Sequence, residues 1–224
     1  MREWANIIKF TLIVAAAFGI TIFAVRFSCE IYRVFPLYVS LIVMFLQTRA
    51  SRFSFLLGGC NAAYYGIVYF FLDLYGMALY SLFVACPIQI ITYLRWKKRA
   101  YARSAVLKRL TTGQRLWWVL GSAAVWLLMY YSLRSFGSEY IILDNSAAVI
   151  AAVANLASLL YLIEFPYIQS VAHILNLWLC TQMIQTDPKQ WTYLIYTVYA
   201  LVCAVLSGVY MQKLYNLQKK ETIT

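Results

Sequence analysis

The chain has 224 residues, 63% of them hydrophobic and only 12% charged, with a mean hydropathy of +0.70. Soluble domains carry about a quarter charged residues, so this composition excludes an aqueous domain of any size and points to an all-helical membrane protein. The formal net charge of +11 does not make a nucleic-acid site, because the basic residues flank apolar runs instead of sharing one wet face.

A bilayer core needs roughly 20 apolar residues per helix, and the chain supplies eight such runs. The first, Ile7 to Val25, follows Arg2 and Lys9. Ala15 to Ala17 would suit a signal peptide, but the length and the following Arg26 and Arg33 favour a retained span. The second covers Ile31 to Gln47 and ends at Arg49 and Arg52; the third runs from Phe53 to Leu72. The fourth, Leu74 to Leu94, closes on Arg95-Trp96-Lys97-Lys98-Arg99 and contains Pro87, which predicts a kink with a freed carbonyl. A polar stretch from Arg95 to Arg115 then holds eight basic residues and no acid. The fifth span is Leu116 to Leu133, and a loop with Arg134, Glu139 and Asp144 leads to the sixth, Ser146 to Ile163. The seventh begins near Phe165-Pro166 and ends by Ile184. Thr186-Asp187-Pro188 reads as a turn, and the eighth runs from Trp191 to Met211.

Placing the basic stretch in the cytoplasm puts all but four of the 19 basic residues (Arg26, Arg33, Arg134 and Lys189) on that side, with both chain termini. Spans two to four and six to eight then form two groups of three that start and finish on the same sides. That is the helix count of a parallel repeat joined by an odd linker. The expected organisation is an additional N-terminal transmembrane helix in 1–28 and a first three-helix bundle in 29–96. A basic cytoplasmic loop with the linker helix follows in 97–140, and a second bundle with a basic tail in 141–224.

Polar side chains at membrane depth are costly and tend to face an interior cavity. Asn61, Gln89, Asn155, Gln169, His173, Asn176, Gln182 and Ser207 fall inside spans. Asn61, Tyr64 and Tyr65 combine an amide with aromatic rings on one stretch of span three. Gln169, His173 and Asn176, at i, i+4 and i+7 of span seven, form one stripe able to hydrogen-bond a hydroxylated solute. The alternative is helix-to-helix bonding, worth roughly 0.6–2 kcal/mol per contact. Trp4, Trp96, Trp117, Trp118 and Trp191 lie at span ends, as an interfacial belt requires, whereas Tyr64, Tyr65, Tyr69, Tyr93, Tyr196 and Trp178 lie deeper. The carboxylates Asp73, Glu139, Asp144, Glu164 and Asp187 fall at loops or span ends. No catalytic motif stands out, and five scattered cysteines with a single histidine argue against a metal site, so neither a cofactor nor an enzyme is expected.

Phe55-Leu56-Leu57-Gly58-Gly59-Cys60-Asn61, then Tyr65-Gly66, Phe70-Phe71 and Leu74-Tyr75, resembles the PnuC vitamin transporters. So do Gln89 before Tyr93-Leu94-Arg95-Trp96, and the spacing of Asp144 and Glu164 ahead of spans six and seven. The resemblance covers about Glu30 to Gln212 and leaves span one as an addition. It implies a three-plus-one-plus-three, SWEET-like core and facilitated diffusion of a dephosphorylated vitamin, nominally nicotinamide riboside, trapped by a separate cytoplasmic kinase. Relatives carry thiamine, riboflavin or deoxynucleosides, and trimers occur, so a homotrimer is one assembly the resemblance admits. Where the family's span-seven stripe reads Trp-x-x-Trp-x-x-x-Asn, this chain has Pro166, Gln169 and His173, and both tryptophans are gone.

The expected solute contacts are therefore Asn61, Gln89, Gln169, His173 and Asn176, with Tyr65 or Tyr93 stacking, and Glu164 beside Pro166 as a gate at the cytoplasmic end. The rival of another class is a non-transporting membrane binding or assembly subunit, whose polar stripe would be spent on other helices and leave no aqueous cavity.

Overall fold

The computed structural model describes residues 2–98, 100–101, 104–136 and 140–223, and side chains over 10–98, 105–134 and 140–221. Arg99, Arg103 and Glu139, and the side chains of Arg2, Trp4 and Lys9, lie outside the described residues. Eight helices appear among the described residues: α1 (Arg2–Arg26), α2 (Ile31–Gln47), α3 (Phe53–Phe70), α4 (Tyr75–Lys98), α5 (Thr112–Phe136), α6 (Ile141–Leu159), α7 (Phe165–Met183) and α8 (Trp191–Ile223). Four segments, Tyr75–Lys98, Thr112–Arg134, Ile141–Leu159 and Pro188–Glu221, are long and apolar enough to cross a membrane; Phe10–Arg26 and Ile31–Gln47 are apolar but shorter.

Four helices end in the same way without glycine. Ser28, Ala50, Asp73 and Tyr161 take positive φ after α1, α2, α3 and α6, and the next amide bonds back five residues, as Cys29 does to Ala24 and Leu162 to Ala157. This closure satisfies the last carbonyls and reverses the chain tightly. The N-terminus of α5 is capped reciprocally: Thr111 N–H donates to Gln114 Oε1 at 3.0 Å, and Gln114 N–H to Thr111 Oγ1 at 3.4 Å.

Within the bundle α2 packs on α3 and α3 on α4, while α6 packs on α7 and α7 on α8; α2 meets α8, and α4 meets α6. α1 lies against α8 and α2. α5 touches α6 and the start of α4 and is otherwise exposed along most of its length.

Three sequence expectations change. The sixth helix starts at Ile141, five residues before the expected Ser146, so Asp144 sits in its first turn and is fully buried. The reason is a contact across the bundle: Asp144 accepts the amides of Gly76 (2.9 Å) and Met77 (3.0 Å), capping α4. A Cβ at residue 76 would come within 2.8 Å of that carboxylate, so glycine is what admits the cap. Trp96, expected in the interfacial belt, is instead 1% exposed, donating to the Ser158 carbonyl at 2.9 Å and packing edge-on against Phe55. Finally, Pro87 is preceded by a π-helical turn at Tyr80–Ala85. Proline offers no N–H to the Phe83 carbonyl and its ring collides there, and widening the preceding turn accommodates both.

The basic stretch is folded against the bundle. Ala100–Tyr101 and Ser104–Ala105 pair as short antiparallel strands. Lys108 N–H then donates to the Tyr161 carbonyl, Ile163 N–H donates to the Lys108 carbonyl, and the Gln218 side chain bonds Leu107 N–H and the Ala105 carbonyl. At the opposite end, Arg33 pairs with Asp187 at 2.8 Å and Lys189 with Glu30, joining the start of α2 to the α7–α8 turn.

Candidate functional site

The helices enclose a cavity of about 180 Å³. It is walled by α2, α3, α4, α6, α7 and the start of α8. Of the residues singled out in the sequence, Asn61, Tyr65, Gln89, Gln169, His173 and Asn176 line it. Tyr93 does not: its ring packs on Phe53, 5.9 Å between centroids. No Lys, Arg, Asp or Glu is among the lining residues.

The lining side chains differ in what they have left to offer. Asn61 spends its amide nitrogen on α2, donating to Ser40 Oγ at 2.7 Å and to the Pro36 carbonyl at 3.1 Å, and Ser40 donates in turn to Tyr65 Oη. Gln169 donates to Gln47 Oε1 at 3.0 Å, which fixes its amide plane and leaves its own Oε1 without a donor. Both nitrogens of His173, 8% exposed, and Oε1 of Gln89 are likewise buried without a hydrogen-bond partner. Gln89 lies across α3 because residue 58 is glycine; a Cβ there would collide with its amide. Buried polar atoms are ordinarily satisfied by protein or water, and leaving one unmet costs about 1–3 kcal/mol. Four such atoms belong to residues that line the cavity, one on α4 and three on α7.

Tyrosines make up much of the remaining wall: Tyr65, Tyr69, Tyr80, Tyr193 and Tyr196. Tyr65 and Tyr69 stack at 5.3 Å, and Asn155 Nδ2 donates to Tyr80 Oη, holding that ring from α6. Sequence reading missed Tyr80 and Tyr193, because nothing in a tyrosine-rich chain marks which rings turn inward. It also missed Gln47, which read as the end of span two, and Ser40, although Ser40 is the one aliphatic hydroxyl inside that apolar run.

Glu164 and Pro166 stand at the base of α7. Pro166 occupies the first turn of the helix, where its missing N–H is harmless. Glu164 Oε1 accepts Leu110 N–H at 3.1 Å and Arg115 at 3.0 Å, so it ties the basic stretch to α7.

The family described as nicotinamide mononucleotide transporter matches residues 30–211, which takes in α2 to α7 and α8 as far as Met211 and leaves α1 outside. Among solved structures, the crystal structure of the vitamin B3 transporter PnuC resembles this one with a TM-score of 0.81 at 19% identity, over 94% of this chain and 93% of that one. At that identity the likeness is one of fold. No curated protein matches the chain.

Proposed function

This chain belongs to the nicotinamide mononucleotide transporter family, a family of multi-pass membrane transporters and not enzymes, and on that premise we propose that it carries a dephosphorylated vitamin or nucleoside, nominally nicotinamide riboside. The observation that carries the proposal is the uncharged cavity with unmet hydrogen-bonding atoms on Gln89, Gln169 and His173. A phosphorylated nucleotide would bring charge to a wall without a cation, and desolvating an unpaired charge is strongly unfavourable. Hydroxyls and a carboxamide suit the open atoms, and a pyridinium ring suits tyrosine faces. Thiamine, riboflavin and deoxynucleosides are the alternative solutes.

In this reading the eight helices are eight spans, with α2–α4 and α6–α8 as the two bundles, α5 as the linker and α1 as an added N-terminal span. The basic stretch and both termini face the cytoplasm of a cell membrane. Asn61, Tyr65, Gln89, Gln169, His173 and Asn176 contact the solute. Rocking of one bundle against the other alternates access, with Glu164 and Pro166 at the cytoplasmic closure and the Arg33–Asp187 and Lys189–Glu30 pairs at the outer one. The carrier has no energy source of its own, and a cytoplasmic kinase traps the product.

Titration calorimetry on the purified protein, with nicotinamide riboside, thiamine, riboflavin and deoxynucleosides as the panel, tests this. One member binding and entering proteoliposomes is the expected result. Silence across the whole panel sinks it in favour of a non-transporting subunit.

A further inference from the structure

The cavity wall is sorted by chemistry along its length. Following each helix away from the end that carries the basic stretch, amides and imidazole come first and tyrosines last. On α3 the order is Gly58, Asn61, Tyr65, Tyr69; on the antiparallel α4, Gln89 lies near the basic end and Tyr80 far from it. α7 presents Gln169 and His173 near that end, and α8 adds Tyr193 and Tyr196 at the other. Gln89 and Tyr80 are nine residues apart, ~13 Å along a helix, which is the scale of one ring joined to one sugar.

The order has exceptions: Phe165 near the basic end, and Gln190 and Ser81 at the far end. Phe165, near the basic end, is 4% exposed and packs on Phe55. Gln190, at the far end, is 2% exposed and donates to Asp187. Amides and imidazole therefore predominate at one end of the lining and tyrosines at the other, where Ser81 is a further polar side chain. Positions 166 and 169, proline and glutamine here, offer no aromatic ring at the polar end.

We infer that the solute lies lengthwise in the cavity, with its aromatic ring among Tyr69, Tyr80 and Tyr196 at the end remote from the basic stretch and its sugar hydroxyls against Gln89, Gln169 and His173. The inference rests on the carrier reading and adds a direction to it: the sugar's primary hydroxyl leads toward the basic end. A stacked or cation-facing ring and a desolvated hydroxyl pair each contribute enough to be read separately.

The test is a cross of two protein changes with two ligand changes, measured by calorimetry. The probes are nicotinamide riboside, its 2′-deoxy analogue, and dihydronicotinamide riboside, whose ring is neither aromatic nor charged. In the unaltered protein each edited probe should bind about tenfold more weakly than the parent. Tyr69→Leu with Tyr196→Leu should shrink the penalty for the reduced ring to under about threefold and leave the deoxy penalty intact. Gln169→Leu with His173→Leu should do the reverse. The opposite crossing, or equal loss of both penalties in both variants, overturns the lengthwise placement while leaving the carrier reading standing. No binding of any probe to the unaltered protein removes the lengthwise placement, and the carrier reading then stands or falls with thiamine, riboflavin and the deoxynucleosides.

Discussion

Asp144 supplies from α6 the cap that the first turn of α4 does not find locally. Its carboxylate is fully buried and meets the amides of Gly76 and Met77, so it is held at the positive end of the α4 dipole. Removing it leaves two buried donors unmet. Asp144→Ala is expected to cost about 1–3 kcal/mol, read as a lowered Tm in detergent, with hydrogen exchange rising first at the amides of Gly76 and Met77. Asp144→Asn, which keeps an acceptor, should recover part of that loss. Faster exchange elsewhere in α4, with those two amides unmoved, would show that the cap is not what holds this turn.

At the scale of the helix, α4 is the element whose geometry least resembles a regular span. Its π turn at Tyr80–Ala85 separates the ring of Tyr80 from the amide of Gln89, and Pro87 keeps that turn from tightening. With Pro87→Ala the Phe83 carbonyl regains an amide partner. The turn should then relax to α geometry, rotating the segment before it by ~100° relative to Gln89. Solute affinity is expected to fall while Tm holds or rises. Unchanged affinity would mean that the widened turn does not set the relation of ring to amide.

Helix existence was legible in hydropathy, and the Gln169, His173 and Asn176 stripe in the 3.6-residue period, because both depend on neighbours along one helix. The cap of α4 was not, since its two halves lie 68 residues apart. Trp96 misled for the same reason: its place beside a basic run looked interfacial, whereas its partners, Phe55 and Ser158, come from other helices.

Across the whole molecule, the two ends of the bundle are closed by different means. Near the basic stretch the closure is backbone pairing, Lys108 with Tyr161 and Ile163, reinforced by Gln218. The other end is closed by ion pairs among Glu30, Arg33, Asp187 and Lys189. The first end adds one ion pair, Arg115 with Glu164, whereas the second is built from ion pairs and so responds to acid throughout. The hydrogen bond from Lys189 holds the Glu30 carboxyl below its ordinary value, with Arg33 adding to the effect. Its contribution is thus complete above the usual carboxylate range and fades as pH falls through that depressed value. Glu30→Gln should lower Tm at neutral pH, and the two melting curves should converge on acidification. Curves that stay parallel would assign the acid sensitivity to other groups.

The uncharged cavity wall has an electrical corollary. With no lysine, arginine, aspartate or glutamate lining the cavity, the wall around the solute contributes no countercharge, and the expected current per cycle is that of the cargo. A pyridinium nucleoside would move one positive charge, worth about 2.3 kcal/mol per 100 mV, so an inside-negative potential alone would concentrate it about 50-fold. Neutral thymidine would be indifferent to voltage. Currents from liposomes on a solid-supported membrane should therefore appear with the first solute and vanish with the second, making uptake electrophoretic in one case and purely diffusive in the other.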